Sequence, residues 1–137
     1  MHLLDTNVVS ELRRPDKAHP KVLAWAASQP LGGMFISVIT ILELELGVAR
    51  ALKQKEAQGQ SLRAWIDDQI IPRFEGRILP VDTAVAQACA RFHTPDPRGE
   101  RDSLIAATAL VHGLIAVTRN TADFKASGAR LFNPWDA

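Results

Sequence analysis

Short apolar segments separated by helices constrain the fold of this chain more than any other feature. Four of them, at residues 2–4, 34–37, 77–81 and 114–118, do not alternate polar with apolar side chains, and 130–132 forms a fifth. Strands of this kind are buried on both faces and are joined in parallel by the intervening helices. The sequence predicts an α/β three-layer sandwich, in which helices flank a short parallel sheet. We expect residues 1–137 to form a single domain.

The helix predicted over residues 101–110 is apolar on nearly every side beyond its first turn. Such a helix belongs inside a protein, and its alanines allow a sheet to pack closely against it. Gly113 is expected to end this helix as a C-cap. By contrast, residues 54–60 are polar and include a glycine, which favours a loop or a frayed helix end before a helix resumes over 61–74.

Composition excludes several classes of protein. Cys89 is the only cysteine, so neither a disulfide framework nor a thiolate zinc site can form. The first residues lack the features of a signal peptide, and no apolar run is long enough to span a membrane. We therefore expect a cytoplasmic protein with no membrane association. The net charge of +1 neither requires nor excludes a nucleic-acid partner.

Four carboxylates are predicted at the ends of buried elements. Asp5 directly follows the first strand, and Glu43 lies one to two turns into the helix after the second. Asp102 opens the helix that leads to the fourth strand, and Asp123 comes five residues after that strand ends at Thr118. Right-handed crossovers bring all four to one edge of the sheet. This carboxyl edge is where open parallel sheets bind their ligands.

Each carboxylate also has a purely structural interpretation. Asp5 and Asp102 could cap the helices that they precede, and Asp123 could be an ordinary turn residue. The spacing Thr40-x-x-Glu43 matches a capping box. If the helix begins near Ser37 instead, Glu43 falls in its second turn, beyond capping range.

Glu45 competes with Glu43 for a place in the group. Two residues apart on a helix, they point to different sides, and Gly47 one turn after Glu43 favours Glu43. Clustered carboxylates raise one another's pKa, and a divalent cation removes this repulsion. Ligands that are all oxygen select hard cations such as Mg²⁺ or Mn²⁺. Such a site suits phosphoryl transfer, because the ion activates water and offsets phosphate charge.

Four sequence blocks resemble the signature blocks of PIN-domain ribonucleases. They are residues 2–7 (HLLDTN), 37–44 (SVITILEL, with Gly47), 102–107 (DSLIAA) and 117–124 (VTRNTADF). The chain is especially similar to VapC-type toxins of toxin–antitoxin pairs, including the FitB-like branch, which Asn133-Pro134-Trp135 also fits. The resemblance implies a parallel sheet, Mg²⁺ or Mn²⁺, and endoribonuclease activity controlled by a small cognate antitoxin of the VapB type.

The resemblance also implies roles for individual residues. The catalytic, metal-binding residues would be Asp5, Glu43, Asp102 and Asp123. Residues that orient them or bound water would be Thr6, Asn7, Thr118 and Asn120. Cations that flank these blocks are candidates for RNA phosphate contacts, namely Arg13, Arg14, Arg98, Arg101, Arg119 and Lys125. The histidines are scattered, and we expect structural roles for His2, His19, His93 and His112.

The implied partners are an RNA substrate and an antitoxin whose tail places an Arg or Lys in the acidic pocket. Apolar residues around Trp25, Leu44 and Leu62 could accept an antitoxin helix, although core packing is an equally good use for them. Homodimerisation and a toxin–antitoxin hetero-oligomer are expected from the resemblance alone.

A phosphoacceptor signalling module of receiver type is the alternative. Asp5, Asp82, Thr118 and Lys125 could mimic its acids, threonine and lysine around Mg²⁺. A receiver, however, needs two adjacent acids after its first strand, where this chain has Thr6-Asn7. A catalytically inactive nucleic-acid-binding module is a third interpretation, but no signature block is missing.

Overall fold

The five strands form one parallel sheet in the order β3-β2-β1-β4-β5. The computed structural model describes residues 1–93 and 99–137. The strands are β1 (His2–Leu4), β2 (Met34–Ser37), β3 (Ile78–Leu79), β4 (Ile115–Val117) and β5 (Leu131–Phe132). In the central strand, Leu3 lies between Phe35 of β2 and Ala116 of β4. The predicted parallel α/β sheet is confirmed.

Helices separate the strands along the chain. They are α1 (Thr6–Glu11), α2 (Pro20–Ser28), α3 (Val38–Gln54), α4 (Glu56–Trp65), α5 (Ile71–Arg73), α6 (Thr83–His93), α7 (Glu100–His112) and α8 (Thr121–Phe124). A π-helical segment, Ile66–Ile70, joins α4 to α5. None of the helices within residues 1–93 and 99–137 is long and apolar enough to cross a membrane.

Alternation along β1 divides the core between the two faces of the sheet. Leu4 packs with Ile36 and Val117 beneath α1 to α4, whereas Leu3 packs with Ala116 beneath α7. Both leucines are almost fully buried. A strand with buried side chains on both faces requires helices on both faces, and this gives the three layers.

Helix α7 is buried on several sides, as predicted. Ala106 and Ala109 pack in the core beneath the sheet, while Ala107 packs against Val85 and Ala88 of α6. Gly113 ends α7 with a φ of 64°, a left-handed conformation that glycine adopts at no steric cost.

The predicted loop or frayed helix end over residues 54–60 is wrong beyond Lys55. Helix α4 already begins at Glu56, so Lys55 alone separates it from α3. Gly59 does not signal a loop; it allows the two helices to approach closely. A Cβ atom at Gly59 would lie 2.7 Å from the backbone nitrogen of Leu52.

Core packing accounts for the apolar residues that were considered for an antitoxin groove. The core on the Leu4 face of the sheet is called here the larger core cluster. Leu44 is buried in it, and Trp25 and Leu62 pack against it. The Trp25 ring also contacts the rings of His2 and Phe132. These three residues therefore do not form a free groove.

Candidate active site

Asp5 lies at the carboxyl end of the central strand and is only 4% exposed. Its backbone N–H donates to the Val117 carbonyl at 2.9 Å, which extends the pairing of β1 with β4. It is the N-cap of α1, and its Oδ1 accepts from the Thr6 backbone N–H at 2.8 Å. Its Oδ2 accepts from the Thr118 hydroxyl at 2.8 Å and from Asn7 Nδ2 at 3.2 Å. Asp5 is thus both a helix cap and a rigidly oriented carboxylate at the sheet edge.

The environment of Asp5 disfavours its charge. Burial is the main reason that its pKa is raised to about 6, and hydrogen bonds from Thr118 and Thr6 oppose this increase. The carboxylates of Asp102 and Glu43 raise the pKa further. These carboxylates, predicted to converge, therefore lie close enough to interact electrostatically.

Glu43 lies in the second turn of α3, beyond capping range. Ser37 is the N-cap of this helix, and its hydroxyl accepts from the Ile39 N–H at 3.0 Å. The capping-box interpretation of Glu43 is therefore wrong. Instead, Glu43 Oε1 accepts from the Thr6 hydroxyl at 2.7 Å.

Thr40 is a contributor that the sequence did not reveal as a site residue. Its side chain is fully buried, and its hydroxyl lies 3.0 Å from that of Thr6. Because Thr6 donates to Glu43, the Thr40 hydroxyl can donate to Thr6 and complete a two-hydroxyl chain. The available signal was a polar residue in an apolar segment one turn before Glu43.

Glu45 is engaged elsewhere. Both of its carboxylate oxygens accept from the Arg63 guanidinium on α4, at 2.7 and 2.5 Å. The hydrogen bond with Arg63 lowers the pKa of Glu45. Arg63 also pairs with Asp67 at 3.0 Å. Glu45 thus links α3 to α4, and it is Glu43 that faces Thr6.

Asp102 does not cap its helix. The N-cap of α7 is Gly99, and Asp102 is the third helical residue, so the capping interpretation is wrong. Burial, then the charges of Glu43 and Asp123, raise the pKa of Asp102, while Arg101 opposes the rise. An open depression of about 620 Å³ lies beside Asp102 between α3 and α7, and Glu43 and Arg101 also line it.

Asp123 is exposed on the short helix α8, and its charge contributes to the raised pKa of Asp102. Its backbone N–H donates to the Asn120 carbonyl at 3.1 Å. The backbone N–H of Asn120 donates in turn to the Thr118 hydroxyl at 3.0 Å. This turn therefore connects Asp123 to the threonine that orients Asp5.

The candidate phosphate contacts divide into near and distant groups. Arg101, Arg119 and Lys125 are exposed on segments that carry the carboxylates, and Arg101 Nε lies 3.9 Å from Glu43 Oε2. Arg13 follows α1, roughly 10 Å along the chain from Thr6 at a helical rise of 1.5 Å per residue. There Arg13 contacts Ser61 and the Trp65 ring. Arg14, next to it, lies beside Asp16, and Arg98 lies outside the described residues.

Structural roles account for two of the histidines. His19 caps α2, accepting from the Lys21 N–H at 3.1 Å. His2 lies in β1 with its ring against Trp25.

The donor set fits a hard divalent cation. It consists of carboxylates. Burial is the main reason that the pKa values of Asp5 and Asp102 are raised, and the charges of neighbouring carboxylates, which such an ion would offset, raise them further. Within the described part of the chain, no three His, Cys, Asp or Glu side chains already converge as a ready-made ligand set.

Comparison with known proteins identifies the family. The sequence profile of the PIN domain matches residues 2–128. The chain belongs to the PIN-domain family. This PIN domain is 41% identical to Toxin FitB of Neisseria gonorrhoeae over 140 residues, which cover 98% of the chain and 99% of that protein. It is 36% identical to VapC ribonuclease Y4jK of Sinorhizobium fredii over 99% of both chains.

Solved structures share the fold. The PIN domain superposes on a chain of FitAcB from Neisseria gonorrhoeae with a TM-score of 0.91, at 39% identity and with all of both chains covered. A chain of DNA-bound VapBC from Salmonella typhimurium gives a TM-score of 0.74 at 26% identity, with 97% of each chain covered. The resemblance seen in the sequence blocks is confirmed.

The receiver alternative is not supported. Asp82 caps α6, accepting from the Val85 N–H at 3.0 Å. It follows β3, which lies two strands from β1 and therefore about 10 Å from the strand that carries Asp5. The two acids that would form a phosphoacceptor site lie at separate places along the sheet edge.

Proposed function

We propose that this PIN domain, residues 1–137, is a metal-dependent endoribonuclease that acts as the toxin of a type II toxin–antitoxin pair. The observation that carries the proposal is Asp5, a buried carboxylate fixed by Thr118 at the carboxyl edge of a parallel sheet. Its raised pKa reflects Glu43 and Asp102 as well as burial. Similarity over the whole chain to proteins named Toxin FitB and VapC ribonuclease supports the same activity.

The carboxylates would hold Mg²⁺ or Mn²⁺. Asp5 and Asp102 would be the principal ligands, with Glu43 and Asp123 completing the set directly or through water. When bound, the ion would supply an activated water and offset the charge on the phosphodiester.

The protein's own contribution is to hold its donors in place before substrate binds. Hydrogen bonds from Thr118, Asn7 and the Thr6 amide fix both oxygens of Asp5. The Thr6 hydroxyl fixes one oxygen of Glu43. Preorganised groups need little rearrangement as charge develops in the transition state. Arg101, Arg119 and Lys125 would contact RNA phosphates beside these carboxylates.

A cognate VapB-type antitoxin is the proposed partner. Similar structures include FitAB bound to a DNA fragment and DNA-bound VapBC of Salmonella typhimurium. A basic side chain of the antitoxin, placed beside Asp5 and Asp102, would offset the same charge as the metal ion and exclude it. We propose a homodimer within a toxin–antitoxin hetero-oligomer that acts in the cytoplasm.

RNA cleavage by the purified protein tests the proposal. With Mn²⁺ or Mg²⁺ the parent should cut single-stranded RNA, whereas Asp5→Asn and Asp102→Asn should not, because each removes a metal ligand. Glu45→Gln is the matched control: it removes a carboxylate from the same helix as Glu43, but one that faces Arg63. Equal cleavage in excess chelator would refute the metal-dependent mechanism.

A further inference from the structure

The segment Asn133–Trp135, called here the Trp135 segment, is firmly attached beside the candidate site. It follows β5, whose Phe132 carbonyl accepts from the Thr118 N–H at 3.0 Å. Asn133 Oδ1 accepts from the Trp135 N–H at 2.9 Å and closes a local turn. Pro134 is buried, and the Trp135 ring packs against the larger core cluster. The indole therefore has a fixed orientation.

Arg119 lies between this segment and Asp5. Its guanidinium carbon is 5.2 Å from the centre of the Trp135 ring. Its carbonyl accepts from Asn133 Nδ2 at 3.5 Å, and its N–H donates to Asn7 Oδ1 at 3.4 Å. Asn7 in turn donates to Asp5. Hydrogen bonds and a ring contact thus connect Trp135 to the buried carboxylate through Arg119.

The charge of Arg119 is not neutralised within the described residues, where no carboxylate lies within ion-pair distance of it. A guanidinium held over an aromatic ring by a cation–π contact keeps its N–H donors available for other partners. The ring contact restricts the rotamers of the long side chain, so less entropy is lost when it binds an anion. Such an arginine is prepared to bind phosphate.

We propose that Trp135 is a positioning residue that holds the Arg119 guanidinium at the rim of the acidic site, where it binds a phosphate of the RNA substrate. The inference rests on the proposed ribonuclease function. Trp135 itself acts only through Arg119, and its contribution is to substrate binding rather than to the chemical step.

The test compares three substitutions. Trp135→Leu keeps apolar bulk but removes the ring face, Trp135→Phe keeps a ring face, and Arg119→Ala removes the charge. Binding of a labelled single-stranded RNA is measured against salt concentration in an Asp102→Asn background, which should bind without cutting. Steady-state cleavage gives KM and kcat with Asp102 intact, and thermal melts report the folding of each variant.

Trp135→Leu should weaken RNA binding by about two- to fivefold, the size of an exposed cation–π interaction. KM should rise with little change in kcat, and Trp135→Phe should retain most of the affinity. Arg119→Ala should lower the slope of log affinity against log salt by roughly 0.7, the loss of one single-strand phosphate contact. In the Arg119→Ala background, Trp135→Leu should have no further effect.

Two results would overturn the inference while leaving the proposed function intact. One is unchanged RNA affinity in Trp135→Leu. A lower melting temperature with unchanged affinity counts as this result, because it would show a structural role alone. The other is an equal loss of affinity from Trp135→Leu with and without Arg119. If the parent protein neither binds nor cuts RNA, the proposed function fails and this inference fails with it.

Discussion

Asp5 combines two tasks that usually belong to different residues. Its Oδ1 caps α1, a structural role, while the hydrogen bonds to Oδ2 orient a carboxylate that burial makes unfavourable to ionise. The cap and site interpretations of its sequence position are therefore compatible. Capping stabilises the fold, and it also holds one end of the acidic group in a fixed place.

The pH dependence of stability should reveal this residue. The folded pKa of Asp5, about 6, lies above the unfolded value of roughly 3.9. Ionisation of Asp5 therefore destabilises the metal-free fold. The destabilisation is complete above about pH 6, decreases as the pH falls through 6, and is absent below the pKa of Asp5 in the unfolded chain. The whole effect is on the order of 3 kcal/mol.

Asp5→Asn keeps a good helix cap but does not titrate. In chelator, the free energy of unfolding measured with urea should fall more between pH 4 and pH 7 for the parent than for Asp5→Asn. Parallel stability curves for the two proteins would show that Asp5 carries no raised pKa.

Thr40 should affect activity through Thr6 and Glu43. Thr40→Val keeps the shape and removes the hydroxyl, so we expect a roughly 10- to 100-fold loss of Mn²⁺ affinity or cleavage, the usual cost of a lost outer hydrogen bond. Thr40→Ser should retain most activity. Thr108→Val is the matched control, because Thr108 is equally buried but donates to the Leu104 carbonyl of its own helix, α7. Equal losses in Thr40→Val and Thr108→Val would contradict the proposed chain of hydroxyls.

The elements differ in how far sequence could predict them. The apolar strands and the Gly113 cap carry local signals and were predicted. The boundary between α3 and α4 was not predicted. A polar segment with a glycine is typical of a loop, and the sequence does not show that Gly59 packs closely against Leu52. The choice between Glu43 and Glu45 depends on Arg63, which lies on another helix.

Two glycines in adjacent helices should respond in opposite directions to alanine. Gly59→Ala places a Cβ against the backbone of Leu52, and overpacking of this kind costs about 1–3 kcal/mol. Gly47→Ala meets nothing within 4 Å and should stabilise α3 by about 0.5–1 kcal/mol. Urea denaturation measures both. A stabilised Gly59→Ala protein would mean that α3 and α4 are farther apart.

At the scale of the whole molecule, the candidate site is a product of topology. Asp5, Glu43, Asp102 and Asp123 come from four different elements, and the parallel order places these elements so that the charges of the four acids interact at one edge of the sheet. This shared edge could be predicted from strand order and right-handed crossovers. The role of Thr40 could not be predicted, because it depends on the hydroxyl of Thr6, which is 34 residues away in sequence.

Metal binding should stabilise the whole fold by relieving carboxylate repulsion. At about a hundred times its dissociation constant, Mn²⁺ should add roughly 2.7 kcal/mol to the parent. For a chain of this size, that corresponds to a rise in Tm on the order of 5–10 °C. Asp102→Asn should show little of this rise, and in chelator it should melt no lower than the parent because it removes one repelling charge. Identical Mn²⁺ shifts in the two proteins would exclude Asp102 from the metal site.

The central position of β1 determines when the site can form during synthesis. β1 leaves the ribosome before its partner β4, which follows more than a hundred residues later, as the pairing of His2 with Ile115 shows. Pairings this distant in sequence close late in folding. A nascent chain that ends before Thr118 would contain Asp5, Glu43 and Asp102 but lack the hydroxyl that orients Asp5. A ribosome making this protein would therefore not meet an assembled candidate site until Thr118 had been translated and β4 had paired with β1.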